Sequence, residues 1–158
     1  DFDLLGNSLT KYPLDYRGYY PWCDKAMDEV FLGYKQAQLA FYETYLIGYL
    51  LSQPSKSTKG FREMKSARVL EEFQRRLVLS FMIKQEEVEA KKAGNLAMIC
   101  DTRSNRLDVI GLLICNGYKE IARADLYNED YEDIVFIKPL EKTLKTSSLF
   151  MFNGTSKN

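Results

Sequence analysis

The chain has 158 residues, of which 46% are hydrophobic, and its 22 basic and 22 acidic side chains cancel. This length suits one domain with a substantial core. A balanced charge provides no long-range field toward nucleic acid or an anionic membrane, so we expect neither as a partner. No apolar run reaches the roughly 18–20 residues of a membrane-spanning helix, and we recognise no signal peptide.

The absence of histidine narrows the possible chemistry, because it excludes Ser/His and Cys/His nucleophilic catalysis and imidazole metal sites. Cys23, Cys100 and Cys115 are odd in number and widely spaced, so they offer neither a disulfide framework nor a zinc motif. We therefore expect a reducing, cytoplasmic location and acid–base chemistry by carboxylates, Tyr, Cys, Lys or water. Since the chain starts at Asp1, we also expect a piece of a longer polypeptide.

The first half of the chain predicts helices followed by strands. Residues 9–32 are aromatic-rich and interrupted by Pro and Gly, which favours one or two short helices that end before Gly33. Residues 38–43 and 46–52 predict a β-hairpin with its turn at Thr44 and Tyr45. Residues 54–60 predict a loop, and residues 62–70 alternate as a third strand does.

The second half predicts helices alternating with strands. Residues 77–93 form the longest helical segment, which ends at Gly94, and residues 96–100 predict a buried strand followed by a polar loop at 101–105. A helix is predicted at 107–116, and strands are predicted at 118–122 and 134–138. This pattern predicts one α/β domain over residues 1–140, with a mixed sheet covered by helices, and a tail at 141–158.

Several short motifs occur in a characteristic order. Gln74 opens the turn between strand 62–70 and the long helix, residues 47–49 read Ile-Gly-Tyr, residues 116–120 read Asn-Gly-Tyr-Lys-Glu, and residues 133–140 read Asp-Ile-Val-Phe-Ile-Lys-Pro-Leu. Over roughly residues 12–140 this order resembles the GNAT superfamily of acetyl-CoA-dependent N-acetyltransferases. The resemblance implies a mixed, mostly antiparallel sheet with helices on both faces, in which the family's first strand could be truncated.

The resemblance also implies an acetyl-CoA site in the cleft between strand 62–70 and strand 96–100. A helix N-terminus presents unpaired N–H groups to the pyrophosphate, and glycines let the phosphate oxygens approach the backbone. Backbone N–H groups near Val69 would hold the thioester oxygen. The implied cofactor-binding residues are Val69, Gln74, Arg75, Arg76, Leu77, Val78, Leu79 and Asn105.

Three leucines depart from the family pattern. Leu77 and Leu79 stand at the two glycine positions of the loop, and Leu113 stands where many members have a Tyr that protonates the leaving thiolate. Leucine adds bulk beside an anion and cannot donate a proton. A structural interpretation is also open, in which Leu77, Val78, Leu79 and Phe81 form the buried end of a helix.

Glu63 matches the strand Glu that removes the substrate proton in many family members, and such a base works best when burial raises its pKa. The alternative is a solvated carboxylate at a strand edge. The acidic run at residues 128–133 could attract a cationic acceptor amine or could form a solvated turn.

Three functions stay open. An active N-acetyltransferase would act on an unknown amine and needs an open gap near Val69 and Leu96. A catalytically inactive domain would bind a protein partner, with Leu77, Leu79 and Leu113 packed into that gap. The third hypothesis is an unrelated α/β domain with the same order of segments.

Overall fold

The computed structural model describes residues 1–14, 18–127 and 131–140, which form four α-helices and six strands. In chain order these are α1 (Phe2–Lys11), α2 (Tyr19–Phe31), β1 (Gln36–Tyr42), β2 (Tyr45–Pro54), β3 (Phe61–Val69), α3 (Val78–Lys92), β4 (Ala97–Arg103), α4 (Leu107–Cys115), β5 (Lys119–Ala124) and β6 (Asp133–Pro139). A 3₁₀ turn, Glu71–Phe73, lies between β3 and α3.

All six strands belong to one sheet with the order β1-β2-β3-β4-β6-β5. Strands β1, β2 and β3 pair antiparallel, and so do β4, β6 and β5. Among the described strands only β3 and β4 pair in parallel, and they do so over Phe61–Met64 and Ala97–Cys100. The predicted mixed, mostly antiparallel sheet is therefore confirmed, and it consists of two antiparallel halves joined by one short parallel seam.

Helices cover both faces of the sheet because successive strand residues point to opposite sides. In β2, Leu51 packs in a cluster with Leu5 and Leu9 of α1, whereas Leu50 packs in a cluster with Met82 of α3 and Leu113 of α4. The predicted two-sided helical layer is confirmed.

The start of the first helix and the position of the hairpin turn differ from the sequence-based expectation. The first helix begins at Phe2, well before residue 9, because Leu5 and Leu9 are four residues apart and bury the same face. The hairpin turn lies at Glu43 and Thr44, one residue earlier than expected, because Tyr45 pairs with Tyr42. Glu43 takes the left-handed conformation of the turn, with φ of 53°.

A buried polar cluster ties α3 to three strands. Glu86 is only 1% exposed, and its carboxylate accepts hydrogen bonds from Arg62 Nε at 3.0 Å, from Gln38 Nε2 at 2.6 Å and from Ser52 Oγ. Because a buried charge is costly unless it is paired, these contacts fix the position of α3 against the sheet.

Two predictions fall outside the described residues, namely the tail at 141–158 and part of the acidic run, residues 128–130. The single domain over residues 1–140 therefore stays a prediction. The described helices are too short or too polar to cross a bilayer. Cys23 and Cys100 are buried as free thiols, and Cys115 is exposed.

Candidate active site

A gap opens inside the sheet where β3 and β4 diverge. Their pairing ends at Met64 and Cys100, so the remainder of each strand, residues 65–69 and 101–103, has no partner across the gap. The position differs from the expected one near Leu96, which lies at the paired end and donates its N–H to the Gly60 carbonyl at 2.8 Å. The predicted loop at 101–105 is also wrong for residues 101–103, which continue β4 by pairing with β6.

Backbone groups of Val69 point into this gap. The N–H of Leu70 donates to the Ile47 carbonyl of β2 at 2.8 Å. Since successive backbone groups of a strand point to opposite edges, the N–H and carbonyl of Val69 point away from β2. The Val69 carbonyl accepts a hydrogen bond from Gln74 Nε2 at 3.0 Å, so Gln74 lies at the edge of the gap.

The loop after β3 takes two left-handed conformations without glycine. Arg75 has φ of 59° and Leu77 has φ of 62°. Leu77 is the N-cap of α3 and makes no side-chain capping bond, and the first helical bond runs from the Phe81 N–H to the Leu77 carbonyl at 2.9 Å. The first N–H groups of α3 therefore have no partner within the helix and can meet an anion.

The leucines of this loop lie in different surroundings. Leu77 is 76% exposed, and Phe81 is 73% exposed, so the interpretation of both as part of a buried helix end is wrong. Val78 and Leu79 are half-buried against the core between the sheet and the α3–α4 layer. Because Leu77 is exposed, it does not fill the gap.

A pocket of about 690 Å³ adjoins the gap and is lined by residues of both diverging strands. Lys65 lies at the bulge of β3, and its Nζ donates to Glu63 Oε1 at 3.1 Å and lies 3.9 Å from Asp101 Oδ1. The Tyr127 hydroxyl donates to Asp101 Oδ2 at 3.1 Å. Two carboxylates, one ammonium and one phenol therefore meet where the pocket joins the gap.

Burial and mutual contact shift the pKa values of these groups. Burial raises the pKa of Asp101, although Lys65 opposes the shift, and burial with the Asp101 charge raises the pKa of Tyr127 to about 12. Burial alone would lower the pKa of Lys65, but Asp101, Tyr127 and Glu63 together raise it above its ordinary value. At neutral pH, Lys65 is therefore charged and Tyr127 is neutral.

Glu63 is held by two donors. Its Oε1 accepts from Lys65, its Oε2 accepts from Gln53 Nε2 at 3.2 Å, and its side chain is 19% exposed. Both strands next to β3 pair with Glu63, so the alternative of a solvated strand-edge carboxylate does not fit.

Glu63 and Asn105, both predicted as site residues, line the pocket, whereas Val69 and the residues from Gln74 to Leu79 lie along the gap and its loop. Lys65, Asp101 and Tyr127 were not predicted. The alternation of Glu63 and Lys65 in one strand was a usable signal, and so was a carboxylate directly after an apolar run. Nothing in the sequence around Tyr127 marks it.

Solved structures of acetyltransferases share this architecture. A protein from Desulfovibrio desulfuricans described as a GNAT-family acetyltransferase superposes with a TM-score of 0.77 at 13% identity, covering 89% of this chain and 93% of its own. The ribosomal-protein-S18-alanine N-acetyltransferase of Escherichia coli gives 0.68 at 11% identity, with 92% and 93% covered. An aminoglycoside 6'-N-acetyltransferase complexed with coenzyme A gives 0.70 at 14% identity, with 91% and 93% covered.

The chain has the GNAT fold. At these identities the likeness establishes the fold alone. No protein-family model matches the sequence, and no curated protein matches it by sequence.

Within the GNAT fold, the departure at Leu113 is fixed by packing. Leu113 is 3% exposed and lies in the core cluster with Met82 and Phe136.

Arg106, the residue before α4, donates two hydrogen bonds of 3.0 and 2.9 Å to the Asp108 carboxylate. Asn105, which precedes it, is exposed at the pocket.

Proposed function

We propose that the protein is an N-acetyltransferase that transfers an acetyl group from acetyl-CoA to an amine. The observation that carries the proposal is the gap between β3 and β4, where residues 65–69 of β3 have no partner strand on the side of β4, beside a pocket that contains Glu63 and Asp101. A donor for a developing oxyanion and carboxylates able to accept a proton are the two requirements of amine acylation.

The loop before α3 suits the pyrophosphate of acetyl-CoA. The first N–H groups of the helix lack helical partners, and Arg75 and Arg76 supply positive charge. The left-handed conformations of Arg75 and Leu77 shape the loop as glycines would. The residues that would hold acetyl-CoA are those predicted, namely Val69, Gln74, Arg75, Arg76, Leu77, Val78, Leu79 and Asn105.

Acetyl-CoA supplies an activated acetyl thioester. A β3 N–H group in the gap, that of Val69 or of a neighbour closer to Lys65, would donate to the thioester oxygen as negative charge develops there. Glu63 would accept the proton of the attacking amine, directly or through a water molecule, after exchanging one of its two present donors. Since Leu113 is buried and apolar, water is the proton source for the leaving thiolate in this proposal.

A second function is favoured by one observation. Leu113 and Leu79 both pack in the α3–α4 core, as they would in a domain that has lost catalysis and binds a protein partner. Exposure of Leu77 and the open gap favour the enzyme.

Isothermal titration with acetyl-CoA, and with desulfo-CoA for comparison, tests the proposal first. We expect binding in the micromolar range, followed by turnover when a panel of amines is supplied. Glu63→Gln should lower kcat without changing acetyl-CoA affinity, whereas Glu120→Gln, on exposed β5, should change neither. Absence of both heat and thermal stabilisation up to millimolar acetyl-CoA would favour the binding module instead.

A further inference from the structure

The pocket beside the gap has two ends of opposite charge, and this separation points to the class of acceptor. The end far from the gap is formed by α2, the start of β1 and the loop after β2. Glu29 lies there with three lysines, namely Lys25, Lys35 and Lys56, and all four residues line the pocket. This end therefore carries two more positive than negative charges among its described residues.

Contacts at this end hold one lysine and leave two at the rim. Lys35 is 4% exposed and is fixed by Glu29 Oε2 at 2.5 Å and by the Gln53 side-chain oxygen. Lys25 and Lys56 are exposed. The hydrogen bond from Lys35 lowers the pKa of Glu29, although burial opposes the shift, and the charges of Lys35, Lys56 and Lys25 lower the pKa further. Glu29 is therefore ionised, and its single negative charge faces three lysine charges.

The end beside the gap has the opposite balance. Its described carboxylates are Glu63, Asp101 and Asp133, and its cations are Lys65 and Arg103, which leaves one net negative charge. The remaining basic residue of the lining, Arg106, is paired with Asp108 outside the pocket. An ammonium group is therefore favoured beside the gap and disfavoured at the lysine end.

A single buried side chain connects the two ends. Gln53 is 2% exposed, accepts from Lys35 through its oxygen and donates to Glu63 Oε2 at 3.2 Å through its nitrogen. The path from Lys35 Nζ to Glu63 Oε2 consists of two hydrogen bonds and the O-to-N distance of the Gln53 amide, so these two atoms lie at most about 8 Å apart. A small molecule spans this distance, and a pocket of about 690 Å³ is of the size that encloses one.

We propose that the acceptor is a small primary amine that carries a carboxylate, with its amine beside Glu63 and Asp101 and its carboxylate among Lys25, Lys35 and Lys56. This inference rests on the proposed acetyl transfer for the identity of the reacting group. The charge preference of the pocket for its ligand can be tested whether or not the acetyl transfer occurs. An amine with a second cationic group is the opposite case, because that group would meet the lysines.

Matched ligands of five carbons test the charge preference directly. Binding of 5-aminopentanoate, pentylamine and 1,5-diaminopentane is measured by isothermal titration, without acetyl-CoA and again with desulfo-CoA. We expect 5-aminopentanoate to bind about tenfold more tightly than pentylamine and the diamine to bind least. Raising the salt concentration should narrow the difference, because the rim lysines are exposed.

The double variant Lys25→Gln/Lys56→Gln should remove most of the preference for the carboxylate. Lys59→Gln is the matched control, since Lys59 is exposed in the same loop and does not line the pocket. The proposal is overturned if the diamine binds best, if none of the three ligands binds, or if the double variant keeps the wild-type ratio. If 5-aminopentanoate binds as expected but is not acetylated in the presence of acetyl-CoA, the acetyl transfer fails and the assignment of the pocket stands.

Discussion

Replacing Leu77 with glycine should stabilise the protein, although glycine also gives the unfolded chain more conformational entropy. Leu77 has φ of 62°, and a left-handed conformation costs a side-chained residue about 1–2 kcal/mol. Because Leu77 is 76% exposed, the burial lost on substitution is worth roughly 0.5 kcal/mol. The greater conformational freedom of glycine in the unfolded chain reduces the gain in folding stability by roughly another 0.5 kcal/mol.

The net expectation for Leu77→Gly is stabilisation by about 0.5 kcal/mol, or a Tm higher by roughly 1–2 °C in a chain of this size. Leu79→Gly is the matched comparison, because Leu79 occupies the second glycine position of the motif. Its side chain is half-buried against the core within α3, so it should lose roughly 1–1.5 kcal/mol of burial and about 1 kcal/mol of helix propensity.

Urea denaturation followed by circular dichroism at constant pH measures both variants. The sign of the change, stabilising for Leu77→Gly and destabilising for Leu79→Gly, is the decisive result. If Leu77→Gly loses as much stability as Leu79→Gly, then Leu77 is neither left-handed nor exposed in solution, and the loop before α3 does not have the conformation proposed to bind pyrophosphate.

Other predictions follow from the buried polar groups and the thiols. Glu86→Ala leaves the buried guanidinium of Arg62 without its carboxylate and should cost about 3–5 kcal/mol in urea denaturation, whereas Glu89→Ala, on the exposed side of α3, should cost less than about 0.5 kcal/mol. The lowered pKa of Glu29 means that its pairing stabilises the fold above the unfolded-state pKa of about 4.3, and that this contribution is lost as pH falls through the folded-state pKa. Wild-type protein should thus lose more stability than Glu29→Gln between pH 6 and pH 3, and equal losses would contradict the pairing. Cys115 should react with a thiol reagent in the native protein, whereas Cys23 and Cys100 should react only after unfolding. Both of these thiols are buried, and burial raises the pKa of each. Rapid reaction of all three thiols in the native protein would contradict this prediction.

Local patterns were sufficient to predict most elements of this fold. The helix predicted at 77–93 is confirmed as Val78–Lys92, and Gly94, which was expected to end it, follows closely. The strand predicted at 62–70 is confirmed as Phe61–Val69, and its residues alternate between two buried faces. The run of polar residues at 101–105 predicts a loop that includes Asp101. The structure instead places it in β4, where it faces a pocket.

The site could be predicted only in part, since its geometry depends on how two distant strands separate. Glu63 and the residues after Val69 were identified through their resemblance to a motif. The meeting of Lys65, Asp101 and Tyr127 results from tertiary packing across 62 positions of sequence, and no local pattern encodes it. The left-handed conformation of Leu77 was likewise hidden, because leucine rarely adopts it.

Unpaired strand edges usually expose a protein to aggregation, because a strand from another molecule can pair with them. The two edges that line the gap lie inside the sheet, with β1, β2 and β3 on one side and β4, β6 and β5 on the other. A foreign strand would have to pass between flanking strands and the helices that cover both faces. Unpaired backbone groups in the gap are therefore better protected from foreign strands than those at an outer edge such as β1, and only a narrow, flexible molecule can reach them.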